Sequence, residues 1–180
     1  LEVVDRKSQR LQELIEDLFE MSKASSGNIT LNFEDVDIVS LMKQTLFELD
    51  DKIKESSLII KSNFPEEKVV LQLDSQCTFR IFENIIINAT KYAMPNSRVY
   101  LDIIEHEDSV EVIMKNMAAE EIKFDPNEIV ERFVRGDESR NTEGSGLGLA
   151  IAKSFVEVQG GTFRIEIDGD LFKVIMKFKK

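Results

Sequence analysis

Apolar positions change period several times along this chain, and each change marks an element. Val4, Leu11 and Leu18 recur every seven residues, as do Leu14 and Met21, with Ile15 beside them. That spacing predicts a helix over about residues 1–23 with a bundle or coiled-coil seam. Its alternative is an amphipathic helix packed on its own domain. Ser25-Ser26-Gly27-Asn28 breaks the pattern and reads as a linker. Ile29 to Phe33 reads as a short strand, and Asp35 or Asp37 is placed to cap a helix with Ile38, Leu41, Met42, Leu46, Leu49 and Ile53 inward. Strands are predicted over Leu58 to Ser62 and Val69 to Leu73, separated by Phe64-Pro65. Next comes a helix capped by Asp74 or Ser75, whose apolar stripe holds Phe79, Phe82, Ile86 and Ala89, widened by Ile81 and Ile85.

The second half alternates at the period of strands. Val99, Leu101 and Ile103 face Val110, Val112 and Met114 across a turn at Glu105-His106-Glu107-Asp108. Phe124-Asp125-Pro126-Asn127 marks a turn before a short helix running into Arg132. Arg135 to Glu143 is charged and aperiodic, as a mobile lid would be. Leu147, Ile151, Ser154, Phe155 and Val158 then recur at helical spacing, so a helix starts within a glycine run and stops at Gly160-Gly161. Thr162 to Ile167 and Leu171 to Phe178 form a closing hairpin around Asp168-Gly169-Asp170. The expected fold is α/β, of the α+β sandwich kind. A mixed, mostly antiparallel sheet is covered on one face by about three helices, with an N-terminal helical extension. The division predicted is residues 1–28, helix and linker, and residues 29–180, one domain.

Composition narrows the classes. A chain of 180 residues is long enough for a sizeable core, since roughly 70% of the unfolded surface is buried at this size. A formal net charge of -11 disfavours nucleic acid and anionic membrane as partners. No apolar run approaches the ~20 residues that span a bilayer, and no signal peptide is visible. The single cysteine, Cys77, excludes an internal disulfide, fits a reducing compartment and reads as a small core residue.

Two segments carry chemistry. Gly144, Gly146 and Gly148 free the backbone for close approach to a ligand just where a helix begins. The exposed N–H groups of such a start attract phosphate. No Lys-Ser or Lys-Thr pair follows, so this is not a Walker loop. Sixty residues upstream (roughly, by the count of the chain), Arg80, Asn84, Asn88 and Lys91 fall on one face of the other helix. A carboxamide oxygen can ligate a hard cation such as magnesium, and a lysine one turn later meets phosphate charge. By itself that stripe would be an ordinary solvated helix face. The glycine loop turns the pair into a pocket for a magnesium-bound nucleotide.

With these residues the chain resembles the catalytic, ATP-binding domain of two-component sensor histidine kinases, in the wider group that includes gyrase and the Hsp90 chaperones. Asn84 to Tyr92 resembles the N box, Glu131-Arg132-Phe133-Val134-Arg135 the F box, and Gly144 to Leu149 the second glycine box. The likeness runs from Ile29 to the C-terminus. It implies ATP and Mg2+ as ligands, with Asn88 on the metal and Asn84 near metal and phosphates. It further implies that Lys91 meets phosphate, that Tyr92 lies beside the nucleotide, and that Arg132 or Arg135 approaches the γ-phosphate. Gly144, Ser145, Gly146, Leu147, Gly148 and Leu149 would hold the triphosphate. The implied partners are a dimerisation hairpin carrying the acceptor histidine, expected upstream with residues 1–28 as its remnant, and a response regulator. The implied setting is the cytoplasmic domain of a membrane-anchored sensor. The lone His106 lies in a turn and does not match the family's acceptor box.

One departure stands out. The family's first glycine box reads Asp-x-Gly-x-Gly after a strand, and its aspartate accepts the adenine amino proton. Here the strand leads into Lys115-Asn116-Met117-Ala118-Ala119, with Lys115 at the aspartate position. An ammonium only donates, so adenine is expected to be held through Asn116 or through water, with weaker base selectivity. Three functions follow: a kinase, a degenerate nucleotide-binding module argued from Lys115, and a gyrase-like ATPase. The last is disfavoured because Asn84 stands where those relatives carry a glutamate base.

Overall fold

The computed structural model describes residues 29–122, Asp125 and residues 147–180, together with Ser8, Leu11, Gln12, Ile15, Glu16, Leu18, Phe19, Ser22 and Lys23. These last nine are all helical, in keeping with the predicted N-terminal helix. Leu11, Ile15, Leu18 and Phe19 are each more than half exposed, so this apolar seam is not packed on the rest of the chain. The linker at residues 24–28 and the segments at residues 126–146 lie outside the described residues.

Among the described residues seven strands and four helices follow: β1 (Phe33–Asp37), α1 (Ile38–Glu48), α2 (Asp50–Glu55), β2 (Ile59–Asn63), β3 (Val70–Asp74), α3 (Ser75–Tyr92), β4 (Arg98–Glu105), β5 (Ser109–Met117), α4 (Gly148–Val158), β6 (Thr162–Asp168) and β7 (Leu171–Lys179). Five strands form one sheet in the order β2-β4-β5-β7-β6, and β1 and β3 form a separate two-stranded ribbon. The β2–β4 pair is parallel and all other pairs are antiparallel. Alternation sets the faces. Val99, Leu101, Val112, Met114, Val174 and Met176 are buried under the helices with Ile81, Phe82, Ile85, Ile86 and Ile151. The opposite face carries Asp102, Lys115, Lys173 and Glu166, paired as Lys115–Asp102 at 2.7 Å and Lys173–Glu166 at 3.1 Å.

Three expectations need correction. The first strand begins at Phe33 rather than Ile29, because its partner β3 ends at Asp74 and Phe33 is the residue opposite Asp74. The helix from Asp37 is broken at Leu49, where α1 ends and the short α2 begins. Asp37, not Asp35, is its cap, accepting from Val39 N–H at 3.2 Å. Leu41 and Leu46 are only half-buried, while Val39 and Thr45 are fully inside. Thr45 is accommodated because its hydroxyl donates back to Leu41 O at 2.8 Å. Finally, β5 does not stop at Met114 but continues to Met117, which changes the orientation of Lys115 and Asn116.

Asp74 ties the layers together at the start of α3. Its carboxylate accepts from Cys77 N–H at 2.9 Å and from Asn32 N–H at 2.8 Å. Its own N–H donates to Gln159 Oε1 at 2.8 Å, just beyond α4. Burial works to raise this carboxyl, but the N–H donors outweigh it and hold its pKa below the ordinary value of 3.8. A lowered acid contributes stability that is complete above its unfolded pKa and lost as pH falls through the folded one. Asp74→Ala is expected to cost about 1–2 kcal/mol near neutral pH, as for other helix caps. Urea unfolding should show that difference shrinking as pH falls below ~4, where the unfolded carboxyl takes up its proton, and disappearing only once the pH is below the lowered pKa of the folded cap. A loss that is the same at pH 3 and pH 7 would contradict the charged-cap assignment.

Candidate functional site

The site is built where α3 and α4 pack side by side. On α3, Arg80, Asn84, Asn88 and Lys91 share one stripe, as the spacing predicts, but they differ in setting. Asn84 is buried, Asn88 half-buried and Lys91 exposed. Asn84 is therefore not on a solvated face. Its Nδ2 donates to Arg80 O at 2.9 Å, and its Oδ1 lies against the first residue of α4. A Cβ built on Gly148 would sit 3.0 Å from that oxygen. A side chain here would crowd the amide because the backbone of α4 approaches it closely, and φ plays no part.

The start of α4 has no side-chain cap: Leu147 occupies the N-cap position and makes no capping hydrogen bond. The first backbone bond of the helix runs from Ile151 N–H to Leu147 O at 2.9 Å. The amides of Gly148, Leu149 and Ala150 therefore precede the hydrogen-bonded ladder and have no helical acceptor. Leu149 is buried at 2% exposure, so its side chain belongs to the core and only its amide is available to the cleft. An uncapped helix start of this kind favours an anion through both its N–H groups and its dipole.

Asn88, one turn beyond Asn84, makes no side-chain hydrogen bond to any described residue. Among the described residues no group of three or more His, Cys, Asp or Glu side chains converges as a metal site. The donors that fit a hard cation are thus the carboxamide oxygen of Asn88 and whatever oxygens a ligand brings. That set suits magnesium, which readily shares its shell with phosphate and water.

A seam joins the C-terminal end of α3 to the end of β5. Ala119 N–H donates to Tyr92 O at 2.9 Å and Met94 N–H donates to Met117 O at 2.8 Å, with Ala93 bridged to Ala118. Tyr92, half-buried, lies at this seam. Beside it Asn116 points inward and is 3% exposed, while Lys115 turns to the opposite face and pairs with Asp102. The placing of Lys115 at the aspartate position is thereby overturned. With β5 running on to Met117, strand alternation puts Lys115 outside and Asn116 inside. Asn116 Oδ1 is the one buried side-chain polar atom among the described residues without a hydrogen-bond partner. Leaving such an acceptor unpaired costs about 1–3 kcal/mol.

Arg132, Arg135, Gly144, Ser145 and Gly146, expected at the γ-phosphate and in the glycine loop, lie outside the described residues. Two participants were not legible in the sequence. Gln159 reaches from the end of α4 to Asp74 and fixes the two helices in relation to each other. Thr78, buried, donates to Asp74 O at 2.7 Å.

The closeness of Asn84 and Gly148 is open to a direct check. Gly148→Ala is expected to destabilise the chain to urea and to weaken nucleotide binding, and Asn84→Ala should relieve part of that loss. A double-mutant cycle should give a coupling of about 0.5–1 kcal/mol. Strict additivity would mean that the two residues do not touch.

Residues 74–180 match the family described as histidine kinase-, DNA gyrase B- and HSP90-like ATPase. The chain is 33% identical over 171 residues to the sensor protein VanSC of Enterococcus gallinarum, covering 92% of this chain and 46% of the relative. It is 30% identical over 165 residues to the sensor histidine kinase WalK of Bacillus subtilis, covering 89% of this chain and 27% of the relative. The chain thus spans less than half the length of these curated relatives. Among solved structures, the histidine kinase AdeS of Acinetobacter baumannii superposes with a TM-score of 0.78 at 16% identity, covering 99% of this chain and 82% of that one. ShkA, solved in complex with AMPPNP, gives 0.76 at 22% identity, covering 93% of this chain and 35% of that one. At those identities the likeness shows a shared fold. With the family match over more than half its length, this chain belongs to the histidine kinase-, DNA gyrase B- and HSP90-like ATPases.

Proposed function

We propose that this chain is the catalytic domain of a sensor histidine kinase, binding Mg–ATP between α3 and α4 and passing the γ-phosphoryl group to a histidine. The observation that carries the reading is the contact of Asn84 with the start of α4. It brings the carboxamide stripe and the uncapped helix amides to one cleft. The named relatives are sensor proteins and sensor kinases, which supports the same reading. The acceptor histidine belongs to a dimerisation hairpin, of which residues 1–28 are the remnant, and the exposed seam of Leu11, Ile15 and Leu18 suits that origin. A response regulator then takes the group; a solved relative, ThkA, is described in complex with such a protein, TrrA. No helix among the described residues is long and apolar enough to cross a membrane. We assign the domain to the cytoplasmic side of a membrane-anchored sensor.

In this reading Asn88 holds magnesium, which when bound neutralises phosphate charge. Lys91 lies one turn on, exposed and able to reach a phosphate. The amides of Gly148, Leu149 and Ala150 receive phosphate oxygens, with Gly144, Ser145, Gly146 and Leu147 continuing that wall. Arg135, or Arg132, takes the γ-phosphate. Tyr92 and Asn116 flank the nucleoside end. Phosphoryl transfer asks mainly for positioning and charge neutralisation. An unprotonated imidazole nitrogen attacks without a base, so a carboxamide at position 84 suffices where water activation would need a carboxylate. The degenerate-module reading rested on Lys115, and that residue faces away from the cleft.

Asn88→Ala should lower magnesium-dependent ATP affinity at least tenfold, about 1.4 kcal/mol, with an unchanged thermal unfolding curve. Calorimetric titration with and without magnesium reads this directly. Equal affinity in the variant would remove Asn88 from the metal.

A further inference from the structure

We infer that Asn116 reads the base of the nucleotide as an amide, and that the site therefore accepts 6-oxopurine triphosphates as well as ATP. The inference rests on the nucleotide reading above and adds a substrate class to it. Asn116 stands in a cross-strand row with Val99 and Phe172. Both neighbours are apolar and buried, so neither offers its amide a partner. Its Oδ1 is buried and unpaired. The position is joined to the C-terminal end of α3 by the Ala93–Ala118 bridge. Asn88 lies four residues before Tyr92, about 6 Å along the helix axis. A nucleotide with its phosphates at Asn88 and the start of α4 therefore has its base within reach of this strand end. The lysine next in sequence cannot compete, since it is paired with Asp102 on the other face.

The chemistry of the side chain sets the selectivity. A carboxylate in this place would only accept, which suits the 6-amino group of adenine and repels the O6 of guanine or hypoxanthine. An amide carries one acceptor and two donors. With Oδ1 toward the base it accepts from the adenine 6-amino group, and Nδ2 donates to N1. Turned by about 180° about its last torsion, a rotation open to Asn, it donates from Nδ2 to O6 and accepts the N1–H of a 6-oxopurine. The two faces are equivalent in number and sense of hydrogen bonds. Nothing in the row formed by Val99 and Phe172 holds the amide in one orientation.

Competition against a fluorescent ATP analogue, on the whole chain with magnesium, tests this. ATP, GTP and ITP are expected to displace the probe with affinities within tenfold of one another. Asn116→Asp should raise the ATP-over-GTP preference at least tenfold. ATP binding with GTP and ITP both more than tenfold weaker in the wild type would overturn the inference and leave the kinase reading standing. A failure of all three nucleotides to bind would overturn both. An unaltered ATP-to-GTP ratio in a folded Asn116→Asp variant would also sink it, since the base would then be read elsewhere. Should that variant not fold, the wild-type ratios alone decide.

Discussion

The architecture turns on one close approach, the backbone of Gly148 against the amide of Asn84. A β-carbon at the first position of α4 would be tight against that amide, 3.0 Å from its oxygen. Because backbone and amide meet, Asn84 is buried, while Asn88 stays half-buried and Lys91 exposed on the same stripe. Beside that stripe stands a row of peptide N–H groups with no helical acceptor. The sheet beneath and the Asp74–Gln159 tie behind keep the two helices at that spacing. Packing in the core therefore sets the geometry of the charged chemistry above it.

That arrangement explains the division of labour among similar residues. Two carboxamides, Asn84 and Asn88, lie one turn apart on the same helix. The first is buried, and spends its Nδ2 on Arg80 O and its oxygen on the seat of α4. The second is half-buried and makes no bond to a described residue, which suits a ligand role. A third, Asn116, is buried with its acceptor unmatched. In a core this well satisfied, an unmatched oxygen is an exception that calls for a physical explanation.

Much of this was legible from residue order. The asparagine spacing and the glycine run fixed which helices matter, because period 3.6 and the conformational freedom of glycine are local properties. Strand alternation named Val99, Leu101 and Ile103 of β4 and Val110, Val112 and Met114 of β5, all of them buried. What sequence could not give depended on tertiary context. The end of β5 reads as a loop because the polar pair Lys115-Asn116 interrupts the apolar alternation after Met114, yet the ladder to β7 carries it to Met117. That error of three residues put Lys115 in the cleft and clouded the function, since a slip by one in a strand exchanges its faces. The burial of Asn84 was likewise invisible, because only the arrival of α4 distinguishes it from Asn88. Gln159 gave no signal at all: a glutamine near a helix end is ordinary, and its partner is far off in sequence.

A crystal structure of the chain with magnesium and a non-hydrolysable ATP analogue tests the central claim most directly. The account predicts the metal bound to Asn88 Oδ1 and a phosphate oxygen. It also predicts phosphate oxygens on the amides at the start of α4, with Asn84 still seated on Gly148. A nucleotide bound outside the α3–α4 cleft, or a metal held by other residues, would contradict it.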